Sequence, residues 1–161
     1  MQMFKKLGLM LLMLAMVAKA QQSAAVLYDA AVKGDKAALA QLRTLGNKGD
    51  AVAQNALGYM HYKGNGVPKD AVQAVFWWRK SANQGYATAQ RFLCYMYAYG
   101  EGVPEDVVIA YMWGNLAAAQ GEQEAKSLRD SLESSHNGYG RMTPAQITEG
   151  QRLSREWKSK P

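Results

Sequence analysis

One segment of the sequence returns after 36 residues, and this repetition limits the possible folds more than any other feature. Residues 62–78 read YKGNGVPKDAVQAVFWW, and a second copy of the pattern follows them at a constant offset. The matched pairs are Gly64 with Gly100, Gly66 with Gly102, Val67 with Val103, Pro68 with Pro104, Asp70 with Asp106, Ala74 with Ala110 and Trp77 with Trp113. A fixed period of this length is typical of a stack of repeated units.

Each unit is predicted to contain two helices joined by the glycine-proline turn. In the first helix, Ala53, Leu57 and Met60 recur at helical spacing and form one apolar face. Glycine ends this helix because it adopts a positive φ at little cost. Pro68 stiffens the turn, and Asp70 can accept bonds from free N–H groups of the second helix. The apolar face of that helix comprises Ala71, Ala74, Val75, Trp78 and Ala82. Such a small unit cannot bury its own apolar face, so neighbouring units must stack.

The glycine-rich turn could instead be a phosphate-binding loop, because Lys69 stands beside it at a helix start. The second copy carries Glu101 and Glu105 in place of Asn65 and Lys69. These carboxylates would repel phosphate, whereas the glycines, the proline and the aspartate recur. The shared feature is therefore the geometry of a turn.

The N-terminal segment, residues 1–20, has the pattern of a secretory signal peptide. Lys5 and Lys6 precede an apolar run, and residues 18–20 form a small-x-small cleavage motif. A membrane anchor is the alternative, but the run is short for a hydrocarbon core of ~30 Å. We therefore expect cleavage, no stable membrane insertion afterwards, and a periplasmic protein.

The remaining chain divides around the repeats. Residues 21–50 predict a degenerate helix pair, residues 51–121 two full repeats, and residues 122–161 a C-terminal helix pair. Thr143 and Pro144 are predicted to open the last helix as its N-cap and its first residue. Arg152, Arg155 and Lys158 near its end are attributed to the helix dipole, which favours positive charge there.

Charge and cysteine content narrow the possible partners. The chain has a formal net charge of +6, and the leader removes three lysines and no acid, which leaves +3. This mild excess does not indicate nucleic acid as a partner. Cys94 is the only cysteine, so no internal disulfide can form and the fold must depend on packing.

The two units resemble the Sel1-like repeat, a relative of the tetratricopeptide repeat. The first unit matches it at Ala53, Leu57, Gly58, Gly64, Gly66, Val67, Asp70, Ala74, Trp77, Ala82 and Gly85, and the second at Ala89, Leu93, Tyr97, Gly100, Gly102, Val103, Asp106, Ala110, Trp113, Ala117, Ala118 and Gly121. The resemblance implies an all-α fold, a right-handed α-α superhelix (solenoid) of antiparallel helix pairs with a concave groove. It also implies binding of a partner protein, no catalysis and no cofactor. The pattern is broken at His61, Ser81, Cys94 and Gly114.

Few residues offer chemistry of their own. His61 and His136 lie at no metal-binding spacing, and one cysteine cannot complete a zinc site. His61 and Cys94 are interpreted as packing residues. The carboxylates Glu122, Glu124, Asp130 and Glu133 alternate with basic residues and are interpreted as a solvated helix face. No catalytic, cofactor-binding or metal-binding residue is therefore predicted.

A partner-binding surface is predicted on the groove-facing side of the first helices. The candidate residues either differ between the units or add aromatic side chains there: Asn55, Tyr59, Tyr62, Lys63, Arg91, Tyr95 and Tyr99. Tyrosine and arginine are frequent anchors of protein interfaces. The alternative is that these are scattered surface residues without a role.

Three functional hypotheses follow from the sequence. The leading one is a secreted, non-catalytic helical scaffold or adaptor that binds a partner protein. The second is an immunity or inhibitor protein that neutralises a toxin or an envelope hydrolase. The third, a cell-wall enzyme, is disfavoured because no paired catalytic groups are visible.

Overall fold

The described part of the chain is built from helices alone. The computed structural model describes residues 23–133 and 142–159, so the leader and His136 lie outside the described residues. The eight helices of this part are α1 (Ala24–Val32), α2 (Lys36–Asn47), α3 (Ala51–Lys63), α4 (Ala71–Asn83), α5 (Ala87–Tyr99), α6 (Val107–Ala119), α7 (Gln123–Glu133) and α8 (Pro144–Glu156). Consecutive helices from α1 to α7 pack on one another, and α8 packs chiefly on α6. The predicted all-α solenoid is confirmed.

The glycine-proline turn has the same backbone geometry in both repeats. Gly64 and Gly66 adopt φ values of 76° and 71°, and Gly100 and Gly102 adopt 67° and 68°. Gly66 also rests against the neighbouring pair, because a Cβ there would lie 2.8 Å from the carbonyl oxygen of Ala31. The turn therefore combines a left-handed helix end with a close backbone approach, and glycine satisfies both requirements.

Buried glutamines join each pair to the pair before it. The Gln54 amide donates to the Gly46 carbonyl at 2.9 Å, across the junction between α2 and α3. Gln84 at the end of α4 then donates to the Gln54 carbonyl oxygen at 2.7 Å. The next repeat reproduces both bonds, from Gln90 to Ala82 at 3.2 Å and from Gln120 to Gln90 at 2.8 Å. These bonds satisfy amides that would otherwise be costly to bury.

One contact between the two helices of a unit is formed by different side chains in the two repeats. In the first repeat Trp78 of α4 is fully buried against Gly58 of α3, where a Cβ would lie 2.6 Å from the indole. At the equivalent positions of the second repeat, α5 carries Cys94 and α6 carries Gly114. A Cβ on Gly114 would lie 3.1 Å from the Cys94 sulfur. The glycine of this contact lies on the first helix in one repeat and on the second helix in the other, so both departures from the family pattern belong to one packing contact.

The terminal helix α8 covers the outer side of α6. Thr143 is the N-cap and Pro144 the first helical residue, as the sequence predicts, and Gln146 completes a capping box with Thr143. Trp157 meets Trp113 edge to face, with ring centroids 6.1 Å apart. Arg152 differs from its prediction, because it pairs with Glu149 at 2.6 Å and also with Glu156 on its own helix. Its charge is therefore matched by side chains and not by the helix dipole alone.

A candidate protein-binding face

The seven predicted partner-binding residues lie on one side of the molecule. Asn55, Tyr59, Tyr62 and Lys63 belong to α3, and Arg91, Tyr95 and Tyr99 belong to α5. Contacts between their side chains link the two helices, so the structure brings the set together. We call the exposed side of α1, α3, α5 and α7 the first-helix face.

Aromatic rings form a row along the first-helix face, in two runs that meet through the buried indole of Trp78. Tyr59 contacts Tyr28 of α1, with centroids 6.3 Å apart, and Phe92 of α5 at 5.8 Å. Tyr62 contacts Tyr95 at 6.3 Å. The row continues from Tyr95 to Tyr99 at 4.6 Å. Rings at such distances stabilise one another beyond the burial of their area, so this row is a defined surface.

Lys63 lies above the row. Its ammonium nitrogen is 5.0 Å from the centroid of Tyr62 and 5.9 Å from that of Tyr59. The rings attract the cation electrostatically, and the side chain remains exposed. Lys63 therefore presents a positive charge beside the aromatic surface.

Two cavities open on the first-helix face. One of about 280 Å³ lies between α1 and α3 and is lined chiefly by Tyr28, Asp29, Val52, Asn55 and Tyr59. The other, of about 360 Å³, lies where α3, α5 and α7 meet and is lined by Tyr62, Arg91, Phe92, Tyr95, Glu124 and Leu128. Both combine aromatic walls with a few polar groups, which is the usual composition of a recognition pocket.

Asn55 offers an unused acceptor in the first of these cavities. Its side-chain carbonyl oxygen is buried and accepts no hydrogen bond from the described residues. An unpaired buried acceptor costs free energy of the order of 1–3 kcal/mol.

Arg91 differs from the exposed anchor that the sequence suggests. It pairs with Glu124 at 2.5 Å and lies 3.5 Å from Glu122, and its guanidinium is 4.3 Å from the Phe92 centroid. These contacts join α5 to α7 within the molecule. Glu122 and Glu124 are therefore structural partners of Arg91, although the sequence had suggested a solvated acidic face.

Glu133 makes a similar contact at the other end of α7. It accepts a hydrogen bond from the Tyr111 hydroxyl at 2.5 Å. Burial, followed by this bond, raises the pKa of Tyr111. Of the four acidic residues interpreted as a solvated face, three thus bind side chains of the preceding helix pair.

The hydroxyl of Tyr95 is held in its protonated form. Its pKa is raised, first by the hydrogen bond shared with Tyr62, then by burial and by the Glu101 carboxylate. Tyr95 donates to Glu101 at 3.1 Å. This phenol is therefore a neutral, oriented group at any physiological pH.

His61 and Cys94 are packing residues in the structure. Burial is the main cause that lowers the pKa of His61, and it raises the pKa of the fully buried Cys94 thiol to about 12. Within residues 23–133 and 142–159, no group of three or more His, Cys, Asp or Glu side chains is placed to hold a metal ion. No helix in these two ranges is long and apolar enough to cross a membrane.

Sequence reasoning missed two aromatic residues of the face. Tyr28 belongs to the degenerate first pair, which cannot be aligned with the two repeats. The sequence therefore does not show which of its positions face outward. Phe92 is equivalent to Ala56 of the first repeat, so an alignment of the two units shows an aromatic residue in place of alanine. Phe92 joins Tyr59 to Trp78 and so to Tyr62, whereas Tyr28 extends the row onto α1.

Comparison with known proteins agrees with this architecture. The Sel1 repeat family matches residues 51–86 and residues 87–122. The chain is a Sel1-like repeat protein. Among curated proteins, none matches it. Sel1 repeat proteins generally serve as non-catalytic scaffolds for protein interaction.

Two solved structures show the same fold. The first is c5321, described as a protective antigen present in uropathogenic Escherichia coli strains and displaying an SLR fold, with 29% identity and a TM-score of 0.72. The match covers 85% of this chain but only 30% of c5321, so this chain spans about a third of that protein. The second is a Sel1 repeat protein from Oxalobacter formigenes, with 29% identity and a TM-score of 0.64, covering 74% of this chain and 97% of that one.

Proposed function

We propose that this Sel1-like repeat protein is a non-catalytic scaffold that binds a partner protein through the first-helix face. The observation that carries the proposal is the aromatic row, beside which one cavity opens between α1 and α3 and another where α3, α5 and α7 meet. Rigid tyrosine side chains supply contact area at low entropic cost and are common in binding surfaces. Lys63 adds an exposed positive charge that favours a partner with an acidic group there.

The test compares two faces of the same protein. A photo-cross-linking amino acid is placed at Lys63 or Tyr99 on the first-helix face, or at Val72 or Phe76, which are exposed on α4. We expect discrete adducts with one partner from the first two positions only. Equal adducts from Phe76 would contradict the assignment of the face.

Affinity then tests the aromatic row itself. Tyr59→Ala combined with Tyr95→Ala should weaken binding of the cross-linked partner by at least about 2 kcal/mol, or about thirtyfold in Kd. The matched control, Val72→Ala with Phe76→Ala, should bind as the unaltered protein does. Circular dichroism of both variants separates lost binding from lost folding. The identity of the partner, an envelope component or a toxin or hydrolase, distinguishes the scaffold from the immunity or inhibitor role.

We also propose that the protein is exported and acts in the periplasm. The support is the basic start, the apolar run and the small-x-small motif of residues 1–20. Mass spectrometry of protein recovered from the periplasm should give an N-terminus at Gln21. An intact Met1 on protein recovered only from the cytoplasm would exclude export.

A further inference from the structure

A third cavity lies away from the first-helix face, where α6, α7 and α8 meet. It has a volume of about 550 Å³, and nine residues of the described chain line it. Three of them are cationic, Lys126, Arg129 and Arg155, and none is acidic. This lining gives the cavity an excess of positive charge, which favours an anionic ligand.

One of these cations is held in a fixed orientation. The Arg129 guanidinium donates to the Asn115 carbonyl oxygen at 3.0 Å, and the Asn115 amide donates to Ser154 at 3.5 Å. Asp130 accepts from the opposite edge of the same guanidinium at 2.9 Å. Contacts from α6, α7 and α8 thus place Arg129, and Asp130 offsets one of the three positive charges.

The other two cations are not matched by acidic side chains. Lys126 and Arg155 form no ion pair with any described residue, whereas Arg152, one turn before Arg155, is paired twice. The sequence attributed Arg152 and Arg155 to one cluster at a helix end. The structure separates them, because only Arg155 lines the cavity. Two unmatched positive charges therefore remain there.

We propose that this cavity binds a phosphate group carried by a small organic molecule or a lipid. A dianion would match the two unmatched charges, whereas a monocarboxylate would leave one of them. Guanidinium groups bind phosphate oxygens with paired, charge-assisted hydrogen bonds. Leu116 and Ala119 form an apolar part of the wall, which leaves room for an organic substituent.

The test is calorimetric titration of the full chain with inorganic phosphate and with glycerol 3-phosphate at constant chloride. We expect saturable binding to one site. Lys126→Gln combined with Arg155→Gln should weaken it by at least about tenfold, the loss typical of one charge-assisted hydrogen bond. Both side chains are exposed enough to leave folding intact, which circular dichroism checks.

The matched control removes the same charge elsewhere. Lys33→Gln with Lys36→Gln, on the first helix pair, should leave phosphate binding unchanged. Equal weakening in the control would show that only the net charge of the protein matters, and it would overturn the site. The absence of saturable binding to every probe would also overturn it.

A second arm identifies the source of the phosphate group. Sedimentation with phosphatidic acid vesicles is compared with sedimentation with phosphatidylcholine vesicles. Binding of glycerol 3-phosphate without vesicle binding assigns a soluble ligand, and binding of phosphatidic acid vesicles alone assigns a lipid headgroup. Either result must be lost in the Lys126→Gln, Arg155→Gln variant, and its persistence there would overturn the proposal.

Discussion

Gly58 and Trp78 show how strongly one atom can matter at a helix contact. Helix propensity favours alanine over glycine by about 1 kcal/mol in a helix interior. Here alanine is expected to be less stable than glycine, because a Cβ at position 58 would lie 2.6 Å from the buried indole of Trp78. We expect Gly58→Ala to destabilise the protein by about 1–3 kcal/mol, the usual range for overpacking.

A double-mutant cycle checks the origin of this cost. Trp78→Leu removes the ring that clashes, so Gly58→Ala should cost far less in that background. Urea unfolding of the four proteins gives the coupling energy. Additive costs would mean that Trp78 is not the residue that excludes a side chain at position 58.

The thiol of Cys94 should be unreactive in the folded protein. It is fully buried, and its pKa of about 12 keeps it protonated, whereas alkylation requires the thiolate. We expect iodoacetamide at pH 8 to label it only after unfolding in urea. As a control, Phe76→Cys in a Cys94→Ala background should react at once, because Phe76 is 46% exposed.

The same burial gives a pH dependence with a definite sign. The unfolded chain releases the thiol proton near the ordinary value of 9.0, while the folded chain retains it up to about 12. Folding therefore binds the proton more tightly, and the free energy of unfolding falls as the pH rises through that window. Chemical unfolding at several pH values should show a shallower fall for Cys94→Ala. An unchanged slope would argue against the raised pKa.

At the scale of one helix, equivalent positions on α4 and α6 are unequally buried, and α8 packs chiefly on α6. Phe76 on α4 is 46% exposed, whereas Met112, one repeat later on α6, is 8% exposed and belongs to the core. We expect Met112→Ala to cost about 2–5 kcal/mol and Phe76→Ala less than about 1 kcal/mol. Thermal or urea unfolding measures both costs. Similar costs would show that α8 contributes little to this side of α6.

At the scale of the whole molecule, buried residues form two clusters along the stack. One joins the first helix pair to α3 and to Trp77 of α4, and it includes Leu42. The other extends from Ala74 of α4 to Met142 and includes Leu93. Since repeats interact mainly with their neighbours, the clusters should differ in local stability. We expect Leu42→Ala to reduce hydrogen-exchange protection mostly in α1–α3, and Leu93→Ala mostly in α5 and α6. Uniform loss in both variants would indicate a single cooperative unit.

Local signals explain why so much of the fold could be predicted from the sequence. The turn, the Asp70 cap and the capping box of Thr143 depend on residues within a few positions of one another, so the sequence displays them directly. Asp70, for example, accepts from the backbone N–H of Gln73 at 3.0 Å.

Contacts between distant residues could not be predicted in the same way. Arg91 lies more than thirty residues from Glu122 and Glu124 in the sequence. Only the packing of α5 against α7 brings its guanidinium to 3.5 Å from Glu122 and 2.5 Å from Glu124. A sequence does not distinguish a basic side chain that forms an ion pair from one that lines a cavity. The sequence alone therefore does not predict the cationic cavity.

The stack of Trp78 on Phe92 has a spectroscopic consequence. The two rings are nearly parallel, 12° apart in plane and 4.4 Å between centroids, and Tyr62 lies 5.6 Å away on α3. Phe92 and Tyr62 also line the larger cavity of the first-helix face, so any molecule that enters it changes the surroundings of a buried indole. The chain therefore has an intrinsic fluorophore next to its candidate binding surface, and ultraviolet emission can follow occupancy of that surface without a dye.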